Sequence, residues 1–277
     1  MDLYRDALNI LKKTSRTFSI PIVRLPLGLQ EAVASAYLCF RAIDQIEDHP
    51  DLDNPTKAKL LRGISLTLQE AGVDGFGSDA FCVGFRTHED SLEEVTLRIQ
   101  EWAMLAPATI APRIWDAIAA MSDRMAYWAE CNWEINTRSD LDRYTFSVAG
   151  AVGLLLSDLW AWYDGTQTNR NLAVGFGRGL QVVNMLRNHK EDLARGVDFY
   201  PKGWSSEDMQ KFARFNLAMA DAYNNSLPTG PALDFCQVPL TLAYGTLDAL
   251  ENGKPKLSRS DVIALIEPLI GMNLNAI

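Results

Sequence analysis

Two short stretches carry more acid than their surroundings explain. They are Asp44-Gln-Ile-Glu47-Asp48 and Asn188-His-Lys-Glu191-Asp192, each in the C-terminal part of a long, otherwise apolar segment. Offsets of zero, three and four residues put the three outer side chains of each set on one face of a helix. Like charges stacked this way weaken a helix, and the dipole at a helix C-terminus adds to the penalty. Packing offers no compensation for either cost. A hard divalent cation does, because it takes carboxylate oxygens, and magnesium is usually completed by water and substrate phosphates. Two such sets facing each other are expected to clamp a diphosphate through metal ions.

A single acidic set of this kind is usually a solvated helix end. The two sets here are extended by polar residues in line with the acids. Arg41 lies three residues before Asp44, and Gln181 and Asn184 lie seven and four residues before Asn188. Polar side chains aligned on helices otherwise full of Leu, Val and Ala predict a polar stripe inside a cavity.

The segments around them read as helices. Leu29, Val33, Ala36, Tyr37, Phe40 and Ile43 recur at three-and-four spacing over 27–48, and Pro50 stops the run. Further helices are expected at 56–70, 91–105 and 112–133, with a Gly- and Asp-rich loop over 71–87. Asp140 is a candidate N-cap for an apolar helix over 141–163. Another helix runs from about 169 to 194 and ends at Gly196, a suitable C-cap. Ser205 with Asp208 predicts a capped start to the next helix, and two more follow over 231–251 and 258–269. The expectation is an all-α chain with no strand, repeat or linker, folded as one domain over residues 1–277.

Composition narrows the function. The 277 residues include 35 acidic and 26 basic ones, a net charge of −9, which argues against nucleic acid as a partner. Cys39, Cys82, Cys131 and Cys236 are scattered without metal-type spacing and read as reduced thiols of a cytoplasmic protein. The N-terminus shows no signal-peptide pattern, and no apolar run approaches the ~18 residues that span a bilayer. A soluble protein is expected, with loose contact to a membrane surface left open. Gly175-Phe-Gly177-Arg-Gly179 misses the dinucleotide fingerprint and reads as close helix packing. His189 points away from Asn188 and Asp192 and is expected to be exposed. Trp102, Trp128, Trp133, Trp160 and Trp162 read as packing residues.

The motifs also carry a resemblance. Ser15-Arg-Thr-Phe18, Arg41-Ala-Ile-Asp44-Gln-Ile-Glu47-Asp48, Tyr144 with Val148-Ala-Gly-Ala-Val-Gly153, and Gln181-Val-Val-Asn184-Met-Leu-Arg187-Asn188-His-Lys-Glu191-Asp192 occur in that order. Gly196, Tyr200-Pro201 and Phe235-Cys236 with Pro239 extend the series. The chain resembles the squalene/phytoene synthase family. The resemblance implies an all-α isoprenoid synthase-like bundle around a central cavity. It implies magnesium-dependent 1′–1 condensation of two prenyl diphosphates through a cyclopropylcarbinyl diphosphate, giving squalene or its dehydro form, with farnesyl diphosphate the favoured substrate. NADPH use is left open, as is the oligomeric state.

Carried onto this chain, Asp44, Glu47, Asp48, Asn188, Glu191 and Asp192 would hold magnesium. Asp44, Asp48, Asp192 and Tyr144 are the catalytic candidates, with Tyr144 near the released pyrophosphate, assisting proton removal. Ser15, Arg16, Phe18, Arg41, Gln181, Asn184 and Arg187 would bind substrate. Phe18, Tyr37, Phe40, Phe146 and Phe235 are candidates for an apolar wall that keeps water from a carbocation; each also reads as plain core.

Two positions depart from the family pattern. Asn188 stands where the family usually has Asp, and Val197 follows Gly196 where an Arg is usual; Arg195 is a nearby substitute. Both departures fall on the second set. They keep hydrolysis of a prenyl diphosphate to farnesol in view, with a terpene cyclase and a non-catalytic prenyl-lipid binder as further alternatives. From the short C-terminus no membrane anchor of the eukaryotic squalene synthase kind is expected, which would suit a soluble bacterial type.

Overall fold

The computed structural model describes residues 3–15, 17–71, 76–77, 81–85 and 87–271. Arg16, a predicted substrate contact, and the side chain of Cys82 lie outside the described residues. The described residues are helical, with no strand among them. Their contacts gather into two compact units, Met1–Trp133 and Glu134–Ile277.

The first unit is built around α3 (Leu29–Glu47). Ala34, Leu38, Cys39, Ala42 and Ile46 are buried as well as the predicted stripe of Leu29, Val33, Ala36 and Ile43. A helix apolar on nearly all sides must be surrounded, and α1 (Leu3–Thr14), α6 (Glu94–Leu97), α7 (Ile99–Met104) and α8 (Ala111–Glu130) pack against it. α4 (Asn54–Gln69) lies along α8. Its N-cap is Asp53, whose carboxylate accepts from Thr56 N at 2.9 Å, and Pro55 follows in the first turn. The short helices α2 (Ser19–Ile22) and α5 (Cys82–Phe85) complete the unit.

Two expectations change here. The helix expected over 91–105 is broken at Arg98, where the backbone leaves the helical region (φ −100°, ψ 19°). The Arg98 guanidinium is held by Asp6, Glu94 and Glu101 and lies 4.4 Å from the Trp102 ring centroid. The N-terminal helix α1 was not expected at all, although Ala7, Ile10 and Leu11 form its buried stripe.

The second unit centres on α11 (Arg170–Ala194), which packs chiefly on α12 (Ser206–Ser226) and also on α13 (Pro231–Glu251). α14 (Arg259–Ile270) packs on α13. Ser205 and Asp208 form the predicted capping box, and Ser258 with Asp261 forms another. Gly196 adopts φ +80° just past α11, a conformation glycine takes without penalty. The glycines of 175–179 do allow close packing. A Cβ on Gly177 would stand 2.2 Å from the Ala149 carbonyl oxygen, and one on Gly153 would meet the Ala173 oxygen at the same distance.

The helix expected to start at Asp140 starts one turn earlier. Thr137 is the N-cap of α9 (Arg138–Thr145), and Asp140 is its partner three residues on, bonding back to the Thr137 N–H at 2.9 Å. A π-helical turn, Phe146–Gly150, joins α9 to α10 (Ala151–Asp164). The continuous run Arg138–Asp164 is 27 residues, long and apolar enough by length and composition to cross a bilayer, which the sequence reading missed. Within this run Phe146, Val148, Ala149, Val152 and Leu156 stay half-exposed.

Candidate active site

In the first unit, the half-open face of α3 presents Tyr37, Arg41, Asp44 and Glu47, with Asp48 exposed at its end. Spacings of four, three and three residues stack them over successive turns. Ser15 stands beside this face. Its hydroxyl accepts from Phe18 N at 2.9 Å and also bonds to Tyr37. The Phe18 and Tyr37 rings lie 5.7 Å apart. The structure thus brings together Ser15, Phe18, Arg41 and the first acidic set, and it adds Tyr37, read from sequence only as wall. Burial pushes the Tyr37 hydroxyl above its ordinary value, and Asp44 adds to the shift.

The electrostatics of this face are unbalanced. Arg41 Nη1 reaches Asp44 Oδ2 only at 3.9 Å, and Arg41 Nε is buried without a hydrogen-bond partner. Desolvation pushes the Asp44 carboxyl up to about 7, Arg41 opposes the shift and Asp48 adds to it. Of the Asp44 side chain, 44% still meets water, so the group is crowded by protein rather than sealed, and solvent screening trims the cost. One face therefore holds a crowded carboxyl with only a long ion pair and a buried guanidinium donor lacking an acceptor. A divalent cation bound with an anionic oxygen would answer both.

In the second unit, Gln181, Asn184 and Asn188 share the half-open face of α11, with Glu191 exposed beyond them. Arg187 donates to Asn184 Oδ1 and, through Nε at 3.0 Å, to Asn188 Oδ1. Asn188 Nδ2 reaches Asn184 Oδ1 at 3.4 Å. Asp192 differs from the rest. It is buried, and Arg195 Nη2 stands 2.7 Å from its carboxylate. Arg195, read from sequence as a stand-in for a missing arginine, is thus the counter-ion of a candidate metal ligand.

Tyr144 is 3% exposed, and its ring stacks on Phe199 at 4.8 Å. Phe199 was missed from sequence, since a single aromatic in an irregular segment gives no periodic signal. His189 is half-buried rather than exposed: its ring lies flat on Tyr200 at 3.8 Å, with Nε2 3.3 Å from Asp198. Phe235 is core, packed on Trp160 at 5.5 Å, whereas Phe18, Tyr37, Phe40 and Phe146 remain half-exposed.

The donor chemistry fits magnesium. Both sets offer hard oxygen donors, carboxylates and the Asn188 amide carbonyl. Among the described residues no three His, Cys, Asp or Glu are drawn into a ready-made cage.

The squalene/phytoene synthase family model matches residues 11–212, more than two thirds of the chain, from the end of α1 into α12. The chain belongs to the squalene/phytoene synthase family. Similar proteins include the squalene synthase of Schizosaccharomyces pombe, 28% identical over 279 residues, covering 89% of this chain and 59% of that protein. The squalene synthase of Dictyostelium discoideum is 26% identical, with 88% of this chain and 63% of that one covered. The chain therefore spans about three fifths of the length of these relatives. Among solved structures, a TcSQS complexed with a ligand matches with a TM-score of 0.77 at 20% identity, over 97% of this chain and 86% of that one. A dehydrosqualene synthase complex matches with a TM-score of 0.64 at 18% identity, over 97% and 95% of the two chains. These matches establish the all-α isoprenoid synthase fold.

Proposed function

We propose that this chain is a prenyltransferase that joins two farnesyl diphosphates by magnesium-dependent 1′–1 condensation, forming presqualene diphosphate and then squalene or dehydrosqualene. The observation that carries the reading is the α3 face, where Arg41 has a buried donor without an acceptor one turn from an Asp44 whose carboxyl is held near 7. The family model runs through both compact units, which supports treating residues 1–277 as one functional domain.

In this reading Asp44, Glu47 and Asp48 hold magnesium at one set, and Asn188, Glu191 and Asp192 hold it at the other. Bound magnesium would neutralise the departing diphosphate and so lower the barrier to ionisation. Arg41 and Arg187 offer charge-assisted hydrogen bonds to the diphosphate oxygens, with Arg16 in the same role. Gln181, Asn184 and Ser15 orient the polar end of the substrate. Loss of diphosphate leaves an allylic cation, which the double bond of the second substrate attacks. A proton then leaves that substrate as the cyclopropane ring closes. Tyr144 assists this proton transfer, held in orientation by the Phe199 ring. In the first unit Phe18, Tyr37 and Phe40, and in the second Phe146, Val148, Ala149 and Val152, each supply half-open apolar surface that suits a prenyl chain and would keep water from a cation.

A second reading, hydrolysis to farnesol, is favoured by the neutral Asn188 and the ion-paired Asp192, which leave the second set weaker in charge. One assay decides. Purified protein is incubated with farnesyl diphosphate and magnesium, with and without NADPH, and products are identified by mass spectrometry. A thirty-carbon hydrocarbon supports condensation, and its saturation state with NADPH reports whether the final step is reductive. Farnesol alone supports hydrolysis. No turnover of any prenyl diphosphate overturns both.

A further inference from the structure

The acids of α3 lie at its C-terminal end, where the last carbonyls have no partner within the helix. One of these carbonyls is met by an unusual donor. Lys57 Nζ, from the first turns of α4, donates to Glu47 O at 2.7 Å. Lys57 is buried, with 8% of its surface exposed, and its ammonium lies 5.2 Å from the centre of the Trp133 ring. A buried lysine needs a compensating environment. Here the carbonyl, the helix dipole and the indole face provide one.

The cradle is built at a cost in backbone strain. Asn132 and Trp133, just past α8, both adopt left-handed φ values, 52° and 50°, the only positive values among described non-glycine residues. Asparagine tolerates this region, whereas a bulky aromatic rarely enters it. The turn is closed by Trp133 N donating to Trp128 O at 2.9 Å. It is pinned to α4 by Asn54 Nδ2 donating to Asn132 Oδ1 at 2.7 Å. A strained turn held in this way implies a purpose for the geometry it enforces. What it enforces is the position of Trp133 against Lys57, and of Lys57 against Glu47.

We infer that Lys57 is a positioning residue for the first metal-binding set: it caps α3 from below, offsets the crowding of acids at that helix end, and fixes the direction in which Asp44, Glu47 and Asp48 present their carboxylates. This rests on the reading of α3 as a magnesium face. In this role Lys57 acts through the Glu47 carbonyl, to which it donates. Losing partners that orient metal ligands typically weakens metal affinity by about 10-fold or more.

The test is manganese uptake, used as a paramagnetic substitute for magnesium, followed by electron paramagnetic resonance in the presence of inorganic pyrophosphate. Lys57→Met keeps the length of the side chain and removes the donor, and about 10-fold weaker uptake is expected. Lys57→Arg retains a buried cation and should restore most of the loss. Leu61→Ala, a core truncation in the same helix, serves as the stability control. It should lower the melting temperature without weakening uptake. If Lys57→Met does not fold, Trp133→Leu takes its place, with about threefold weaker uptake expected from losing the ring beneath the ammonium. Unchanged uptake in Lys57→Met, or in Trp133→Leu where it replaces it, overturns the inference. So does a loss in Leu61→Ala as large as that in Lys57→Met. A wild-type protein that takes up no manganese with pyrophosphate instead overturns the magnesium reading, and the inference with it.

Discussion

Arg195 Nη2 lies 2.7 Å from Asp192 Oδ1, so the one buried acid of the second set is neutralised from its own helix end. Removing the arginine takes this charge partner away from a buried carboxylate. Arg195 is half-exposed, which moderates the loss. Arg195→Ala is expected to destabilise the metal-free protein by about 1 kcal/mol. Magnesium with pyrophosphate should recover much of that difference, because the cation replaces the guanidinium. Thermal melts of both proteins with and without magnesium pyrophosphate check this; an equal gap in both conditions contradicts it.

Asn188 supplies a carbonyl oxygen and no charge. An aspartate there would still accept from Arg187 Nε, now 3.0 Å away, and would lose only the long contact from its amide nitrogen to Asn184. Asn188→Asp should therefore fold normally. It should lower the magnesium concentration giving half-maximal turnover by roughly 10-fold, the scale of effects from tuning a ligand set. A rate or magnesium requirement that stays put or worsens shows that the asparagine is no handicap.

Asp44 carries its own cost. Its carboxyl in the folded chain is raised to about 7, well above the unfolded value. The folded state thus retains a proton there after the unfolded chain has lost its own. Stability from this group is fully present below about pH 4 and is lost as pH rises through 7. Asp44→Asn should accordingly melt higher than the wild type at pH 8, with the difference disappearing near pH 4, while turnover is lost. Melting curves across that range in metal-free buffer give the answer. A difference independent of pH would sink the assignment.

Gly177 and Gly153 face backbone rather than side chain. The nearest atoms to an added Cβ are carbonyl oxygens at 2.2 Å, which cannot step aside without moving a helix. Gly177→Ala and Gly153→Ala should each cost about 3 kcal/mol or more in denaturant melts. Gly175→Ala meets Met219, whose sulfur and methyl can move though its Cβ at 2.7 Å cannot, and should cost less. Equal costs at 175 and 177 would contradict the packing argument.

Much of this was legible from residue types. The long apolar runs ending in acids gave α3 and α11, because a helix buried on most sides has little freedom to be anything else. Ser205 with Asp208 and Gly196 marked true boundaries, since their side chains or backbone freedom meet a specific local need. At the start of α9 Asp140 was read as the cap and Thr137 was passed over, because only the reciprocal hydrogen bonds between them assign their ranks. The break at Arg98 was hidden because its cause is a set of partners that includes Asp6, far off in the chain. The Asp192–Arg195 pair has ordinary helical spacing, yet spacing alone does not tell a counter-ion from a free acid. Nothing in Asn132-Trp133 announces a left-handed turn.

The π turn at Phe146–Gly150 has a bearing on how this stretch can change over time. A π turn holds one residue more than the α-helical path it interrupts. The wider turn absorbs that residue, so the helix beyond it keeps about the phase an uninterrupted α-helix would have relative to Tyr144. Losing one residue inside the turn would let the helix run regularly and leave Gly153 turned toward the Ala173 carbonyl, whereas losing one between the turn and Gly153 would swing that glycine away by roughly 100°. Related chains are consequently expected to tolerate a change of count within the turn sooner than in the helical stretches on either side of it.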